Sequence, residues 1–234
     1  WNQERLCPRR VCCDSVRKFE REWKQMIAVI DYGAGNLFSV KNALEYLKQP
    51  YVITNDIHQI QKADGYILPG VGAFPFAMKQ LTATGLVEEI KKQVQQKPLL
   101  GICLGMQMLF EESTEFELTQ GLGLIPGRVD HLVAPGQKIP HLGWNQLELE
   151  QPDNPLLQGV HPKDCVYFVH SYMAFTPKEY IAAWCDYGGV QVPALTVKGN
   201  VYGCQFHPEK SGETGLGILT NFCKLCQGKE EASC

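Results

Sequence analysis

The chain lacks most of what would mark it as a nucleic-acid, membrane or secreted protein. Its 22 Lys and Arg against 25 Asp and Glu leave a formal charge of −3, with no basic tract of the kind drawn to phosphate backbones or anionic lipids. Nucleic acid and membrane surfaces are therefore poor partners. The longest apolar run, Pro98 to Phe110, is too short to span a bilayer and contains Gln107. The opening segment is charged rather than a basic, apolar and small-residue series, so a secretory leader is not expected. No Walker A lysine, HExxH pair, internal repeat or low-complexity tract occurs. Gly33-x-Gly35 follows the first apolar run as in a dinucleotide loop, but the third glycine position holds Phe38, where close helix–strand packing needs Gly. Ten cysteines are present, yet they follow no small-domain disulfide framework, and a reducing cytoplasm is the expected compartment.

What remains is a chain of 234 residues, 44% hydrophobic, long enough to bury a real core and read as one domain. Residues 1–25 stand apart: seven Lys/Arg and four Asp/Glu give them a local +3 and leave −6 for the rest. They are expected to form an extension outside the fold, disordered or weakly helical, with residues 26–226 forming the domain and 227–234 a tail. From Met26 the texture becomes regular. "MIAVI", "YVIT", "ADGYILPG" and the run after Pro98 read as strands, and "NLFSVKNALEYL", "FPFAMKQL" and "GLVEEIKKQVQQ" as helices. Such alternation predicts an α/β fold with a mainly parallel sheet covered on both faces. Beyond Glu115 short strands separated by Gly/Pro turns predict an additional antiparallel portion, with a tight turn at Lys198–Gly199–Asn200. A last helix spans "TGLGILTNFCKLC".

Within "LLGICLGMQMLF" an apolar strand runs into Cys103, flanked by Gly101 and Gly105, and helix-forming residues follow. A side chain on a sharp strand-to-helix turn is lifted out of its sheet, and the glycines make room for the crowded backbone. The helix start also favours a thiolate, and the Leu104 N–H is placed to stabilise an oxyanion. A buried structural thiol explains the stretch almost equally well. Far downstream, "YGCQFHPEKSG" supplies His207 and Glu209 around Pro208. Alternation along an extended segment predicts that both face one side, the carboxylate orienting the imidazole. A thiol, an imidazole and an orienting acid are the parts needed for acyl transfer through a covalent intermediate.

"GICLGMQ" together with "HPE" resembles the triad-type glutamine amidotransferases over nearly all of residues 26–226. The resemblance implies a flavodoxin-like three-layer α/β/α sandwich and a triad of Cys103, His207 and Glu209. It also implies an oxyanion hole from Leu104 and Val71, glutamine held by Gly72, Gln107, Glu115, Ser171 and Tyr172, and no cofactor. "DYGAGNLFSVKNAL", "PGVGAF", "HLGWNQL", "FVHSY" and "HPEKSGETGL" resemble in particular the glutaminase subunits of histidine-pathway synthases. Those subunits form a heterodimer with a cyclase of (βα)8-barrel fold, to which they pass ammonia. By that likeness Asn36, Ser39, Trp144 and Lys210 belong to the partner interface. Two rival readings stay open: a freestanding cysteine hydrolase or peptidase with the same triad, and a non-catalytic flavodoxin-like binding module. Metal readings of Cys7 with Cys12 and Cys13, His161 with Cys165, and Cys223 with Cys226 fit packing or free thiols better than zinc.

Overall fold

A computed structural model describes residues 26–227. Expectations for residues 1–25 and for most of the C-terminal tail lie outside the described residues. The first half is the anticipated alternation: β1 (Ile27–Ile30), α1 (Leu37–Tyr46), β2 (Tyr51–Thr54), α2 (Ile57–Lys62), β3 (Gly65–Gly70), α3 (Phe74–Ala83), α4 (Val87–Gln93), β4 (Leu99–Cys103) and α5 (Leu104–Gln107). The short α2 escapes a periodicity reading because Ile60 is its one buried residue. Asp56 starts it, its carboxylate accepting from the His58 N–H at 2.9 Å.

The second half contributes β5 (Glu112–Ser113), β6 (Thr119–Gln120), β7 (Arg128–His131), β8 (His141–Gln146), β9 (Glu148–Leu149), β10 (Cys165–His170), β11 (Tyr172–Phe175), β12 (Ile181–Tyr187), β13 (Val190–Lys198), β14 (Val201–Cys204) and α6 (Gly212–Cys226). The main sheet has the order β2-β1-β3-β4-β14-β13-β12-β9. Its members from β2 to β14 are parallel, and β13, β12 and β9 continue it antiparallel. The β13–β14 hairpin turns at Gly199, whose φ of 58° suits glycine. Two smaller sheets, β10-β8 and β11-β7-β5-β6, stand apart from the main one.

Alternate residues of β1 explain the layers. Ile27 and Val29 join Val40 and Leu44 of α1 and Ile218 and Phe222 of α6 in one core. Ala28 and Ile30 face the other way, into a second core with Phe74 and Leu81 of α3 and Ile90 of α4. Helices therefore cover both faces, giving the three-layer sandwich. Each large aliphatic side chain buried this way contributes about 1.5–3 kcal/mol.

The pairing that matters most for function is β4 with β14. They are parallel, with Ile102 opposite Cys204. The residues that follow each strand consequently emerge at the same edge of the sheet, although about a hundred positions separate them along the chain.

Candidate active site

Cys103 ends β4 and begins α5 with φ 55° and ψ −112°, a conformation that costs a non-glycine residue about 1–3 kcal/mol. The bend is held by its neighbours. A Cβ on Gly105 would run into the Leu68 carbonyl oxygen, and one on Gly101 would meet the backbone of Gly105 and Met106. The two glycines thus let α5 lie directly on β3 and β4. That helix is a single turn, shorter than the sequence suggests, so little helix dipole acts on the sulfur. The Leu104 N–H remains well placed, because the first N–H of a helix has no intrahelical acceptor.

His207 and Glu209 emerge beyond β14. Strand alternation does not orient them: the strand ends at Cys204, and Pro208–Lys210 form a 3₁₀ turn that begins after His207. Proline at its first position ends ladder pairing and preorganises the turn. The turn brings Glu209 Oε1 to 2.8 Å from His207 Nδ1, with both side chains shut away from water. Glu209 Oε2 has no partner among the described residues, so the imidazole is the group that compensates this buried carboxylate. Burial disfavours the imidazolium, but hydrogen bonding to Cys103 and Glu209, with their negative charge, outweighs it and raises the His207 pKa to about 9. The His207 backbone is pinned as well. Its N–H donates to the Tyr167 carbonyl at 2.9 Å, and its carbonyl accepts from the Ser211 hydroxyl at 2.6 Å. The same hydroxyl oxygen accepts from the Tyr167 N–H at 2.9 Å.

Cys103 and His207 open into one cleft of about 300 Å³, together with Val71, Gly72, Leu104, Gln107, Glu115, Ser171 and Tyr172. Every residue expected to bind glutamine or its oxyanion therefore lines the same space as the thiol. Gln107 is itself bonded, its amide donating to the Tyr172 carbonyl at 2.9 Å and to Gln205 Oε1 at 3.0 Å. Glu115 Oε2 accepts from the Phe74 N–H at 2.7 Å. Burial pushes its carboxyl above the ordinary value, and that bond offsets only part of the shift. Gly72 has φ 101°, a backbone state natural to glycine. Gln205, His170 and Ser211 are structural members of the site that sequence reasoning missed. The first lies two residues before His207 in "GCQFHPE", the nearest thing to a signal among them.

Residues 28–226 match the family model for class-I glutamine amidotransferase. The chain belongs to that family. It is 52% identical over 208 residues to the imidazole glycerol phosphate synthase subunit HisH of Bacillus cereus, covering 88% of this chain and 96% of the relative. The subunit of the same name from Caldanaerobacter subterraneus is 52% identical over 202 residues, 86% of this chain and 98% of the relative. Among solved structures, a glutamine amidotransferase crystal structure superposes with a TM-score of 0.67 at 20% identity, covering 85% of this chain and 98% of the other. The structure of PurLQS from Thermotoga maritima gives 0.65 at 22%, covering 86% and 99%. These two likenesses speak to the fold, which they share with this amidotransferase.

The amidotransferase places its expected interface residues around one stretch of surface. Ser39 and Lys210 line a shallow hollow with Gly212, and the Trp144 ring lies 4.0 Å from where a Cβ on Gly212 would stand. Trp144 and Leu142, successive outward positions of β8, are both exposed, as is Phe38 on α1. Asn36 also acts locally by capping α1, its Oδ1 accepting from the Ser39 N–H at 3.3 Å and its Nδ2 donating to Ser39 Oγ at 2.8 Å. No helix among the described residues is long and apolar enough to cross a membrane.

Proposed function

We propose that this amidotransferase is the glutaminase subunit of a cytoplasmic two-protein imidazole glycerol phosphate synthase, hydrolysing L-glutamine and passing the ammonia to a (βα)8-barrel cyclase. That partner makes imidazole glycerol phosphate and the aminoimidazole carboxamide ribonucleotide of histidine biosynthesis. The observation that carries the reading is the meeting of an elbow cysteine with an imidazole–carboxylate pair in one cleft, in a chain similar to such subunits over 96% of their length.

In this mechanism Cys103 Sγ attacks the side-chain amide carbon of glutamine. Negative charge moves onto the amide oxygen, where the Leu104 N–H meets it, joined by Val71 after a peptide flip that Gly72 permits. Glu209 occupies His207 Nδ1 and leaves Nε2 to face the sulfur. As an imidazolium at neutral pH, His207 gives its proton to the departing nitrogen, which leaves as ammonia. Water then attacks the thioester carbon, returns a proton to His207 and releases glutamate and the thiolate. Glu115 receives the substrate ammonium, and Gln107, Ser171 and Tyr172 hold the remainder of the molecule.

A barrel partner has a physical purpose. Ammonia released to bulk water at neutral pH is protonated and loses its nucleophilicity, and enclosed transfer avoids that loss. Trp144, Lys210, Asn36 and Ser39 form the docking face. The glycine-flanked Val71 motivates a further element: resting glutaminase is weak and rises when the partner binds its nucleotide ligand, because the Val71 donor is then aimed at the oxyanion. The test is glutamate release with and without the barrel subunit and its ligand. A marked rise on adding both supports the reading, and one rate throughout marks a freestanding hydrolase.

A further inference from the structure

One wall of the cleft contains a break between two strands that no expected role explains. Strand β10 ends at His170 and β11 begins at Tyr172, and the two belong to different sheets. Ser171 is the single residue between them. Both Ser171 and Tyr172 line the cleft, so the path of the backbone across this break decides where two glutamine-binding residues point.

His170 clamps the break. Its Nδ1 lies 2.9 Å from the carbonyl oxygen of Tyr172, two residues on. That carbonyl can only accept, so Nδ1 carries the proton. The other lone pair of the same oxygen accepts from Gln107 at 2.9 Å. His170 is buried, and its Nε2 lies 2.9 Å from Nδ1 of the fully buried His141. With the Nδ1 of His170 already a donor, a neutral His170 has only a lone pair at Nε2, and His141 must donate to it. Burial, with His141 and His207 nearby, pushes the His170 pKa down to about 3, in keeping with the neutral form.

His141 is fixed in turn. It sits directly across the β8–β10 ladder from His170 and stacks on Phe168 and Tyr187 at centroid distances of 4.6 and 3.9 Å. Its Nε2 lies 2.7 Å from Asn145 Oδ1; with the Nδ1 proton given to His170, a neutral His141 only accepts at Nε2, so this order of protons turns the Asn145 amide to present Nδ2 there. With the amide so turned, the two buried imidazoles share one order of protons, beginning at β8 and ending on the oxygen that accepts from both His170 and Gln107. Buried hydrogen-bonded chains of this kind fix geometry because each unmade bond leaves a desolvated polar atom.

We propose that His141 and His170 are positioning residues for glutamine: through one hydrogen-bonded line they lock the Ser171 break and set substrate affinity without touching the reacting atoms. The inference rests on the glutaminase reading above. His141 provides the cleaner test, since it does not line the cleft. In the full chain assembled with its cyclase partner and nucleotide ligand, His141→Phe keeps the aromatic stack and removes the donor. It is expected to raise the KM for glutamine about fivefold with little change in kcat, the effect of one buried hydrogen bond. His141→Asn retains a donor near the Nδ1 position and should restore KM to near the wild-type value. His170→Phe removes the clamp itself and should raise KM about tenfold or more, while ammonia-dependent synthesis stays unchanged.

A purely packing role predicts the reverse split: lower thermal stability and active fraction, an unaltered KM, and no rescue by Asn. An unchanged KM in His141→Phe, or one raised equally in His141→Asn, overturns the proposal. Should His170→Phe fail to fold, the two His141 variants decide the matter. A wild-type complex releasing no glutamate would instead remove the glutaminase reading.

Discussion

The two halves of this amidotransferase bury different things. Up to Phe110 the interior is almost wholly apolar, with Gln49, Thr54 and Gln107 as its buried polar residues. Beyond it Ser113, His141, His170, Thr196, Gln205, His207, Ser211 and Asn221 are all buried. The first half is a parallel α/β scaffold from which the proposed mechanism takes the sulfur on its strained turn, the oxyanion donors Leu104 and Val71, and Gly72 and Gln107 for glutamine. The second half supplies the proposed acid–base pair with Glu115, Ser171 and Tyr172, and there strands, loops and α6 carry polar side chains inward, most of them hydrogen-bonded. Rigidity in the first half comes from close packing, and in the second also from buried hydrogen bonds, with Thr196 Oγ1 and Glu209 Oε2 the atoms left without a partner among the described residues. The β4–β14 ladder is where the two kinds of interior meet.

That contrast can be broken most severely at the scaffold's proposed nucleophile. Cys103→Ala should lower glutamine-dependent synthesis by about 10³-fold or more while the complex still uses added ammonia. Loss of the ammonia reaction as well would mean the thiol does more than serve glutaminase. A packing lesion in the same half should act on stability instead. Gly105→Ala forces a methyl group against the Leu68 carbonyl, with an expected cost of about 3 kcal/mol, read from denaturant unfolding. In the polar half, Ser211→Ala orphans the Tyr167 N–H and removes one of the two bonds to the His207 carbonyl, leaving the Lys210 N–H at 3.0 Å as its donor. It should cost about 1–3 kcal/mol and lower kcat through a loosened His207. The smallest effect belongs to the outer face: Lys210→Ala or Trp144→Ala should weaken partner affinity about tenfold with the triad intact, measured by titration calorimetry.

The same division governs what the sequence reveals. Scaffold strands and helices announce themselves through apolar periodicity, and the Gly101-x-Cys103-x-Gly105 turn is legible because part of its cause is local, the crowding of Gly101 against Gly105, although Gly105 itself is demanded by the Leu68 carbonyl of β3. The His207–Glu209 juxtaposition is legible from "HPE", but for a mistaken reason. A 3₁₀ turn started by Pro208 joins the two side chains, and alternation along a strand plays no part. The short α2 is silent because one buried residue makes no period. His141, His170 and Ser211 are silent for a different reason. Each acts in part through a partner 29 or more positions away, and a lone buried histidine in a sequence looks like any other.

The pH dependence of His207 follows from its neighbours. Its folded pKa, near 9, lies above the ordinary value of 6.5. The stability it contributes is therefore complete below about pH 6.5 and is lost as pH rises through about 9. Proton donation to the departing nitrogen fails over the same range in the proposed mechanism, so glutamate release by the liganded complex should decline on an alkaline limb near pH 9.

That limb is where the triad is most directly tested. Glu209→Gln keeps the shape of the side chain and removes the charge that helps to hold the proton on His207. The pH profile of glutamate release, measured for wild type and Glu209→Gln in the same liganded complex, should show the alkaline limb displaced to lower pH in the variant. A limb that stays in place would contradict the pairing of this imidazole with this carboxylate in the service of the Cys103 sulfur.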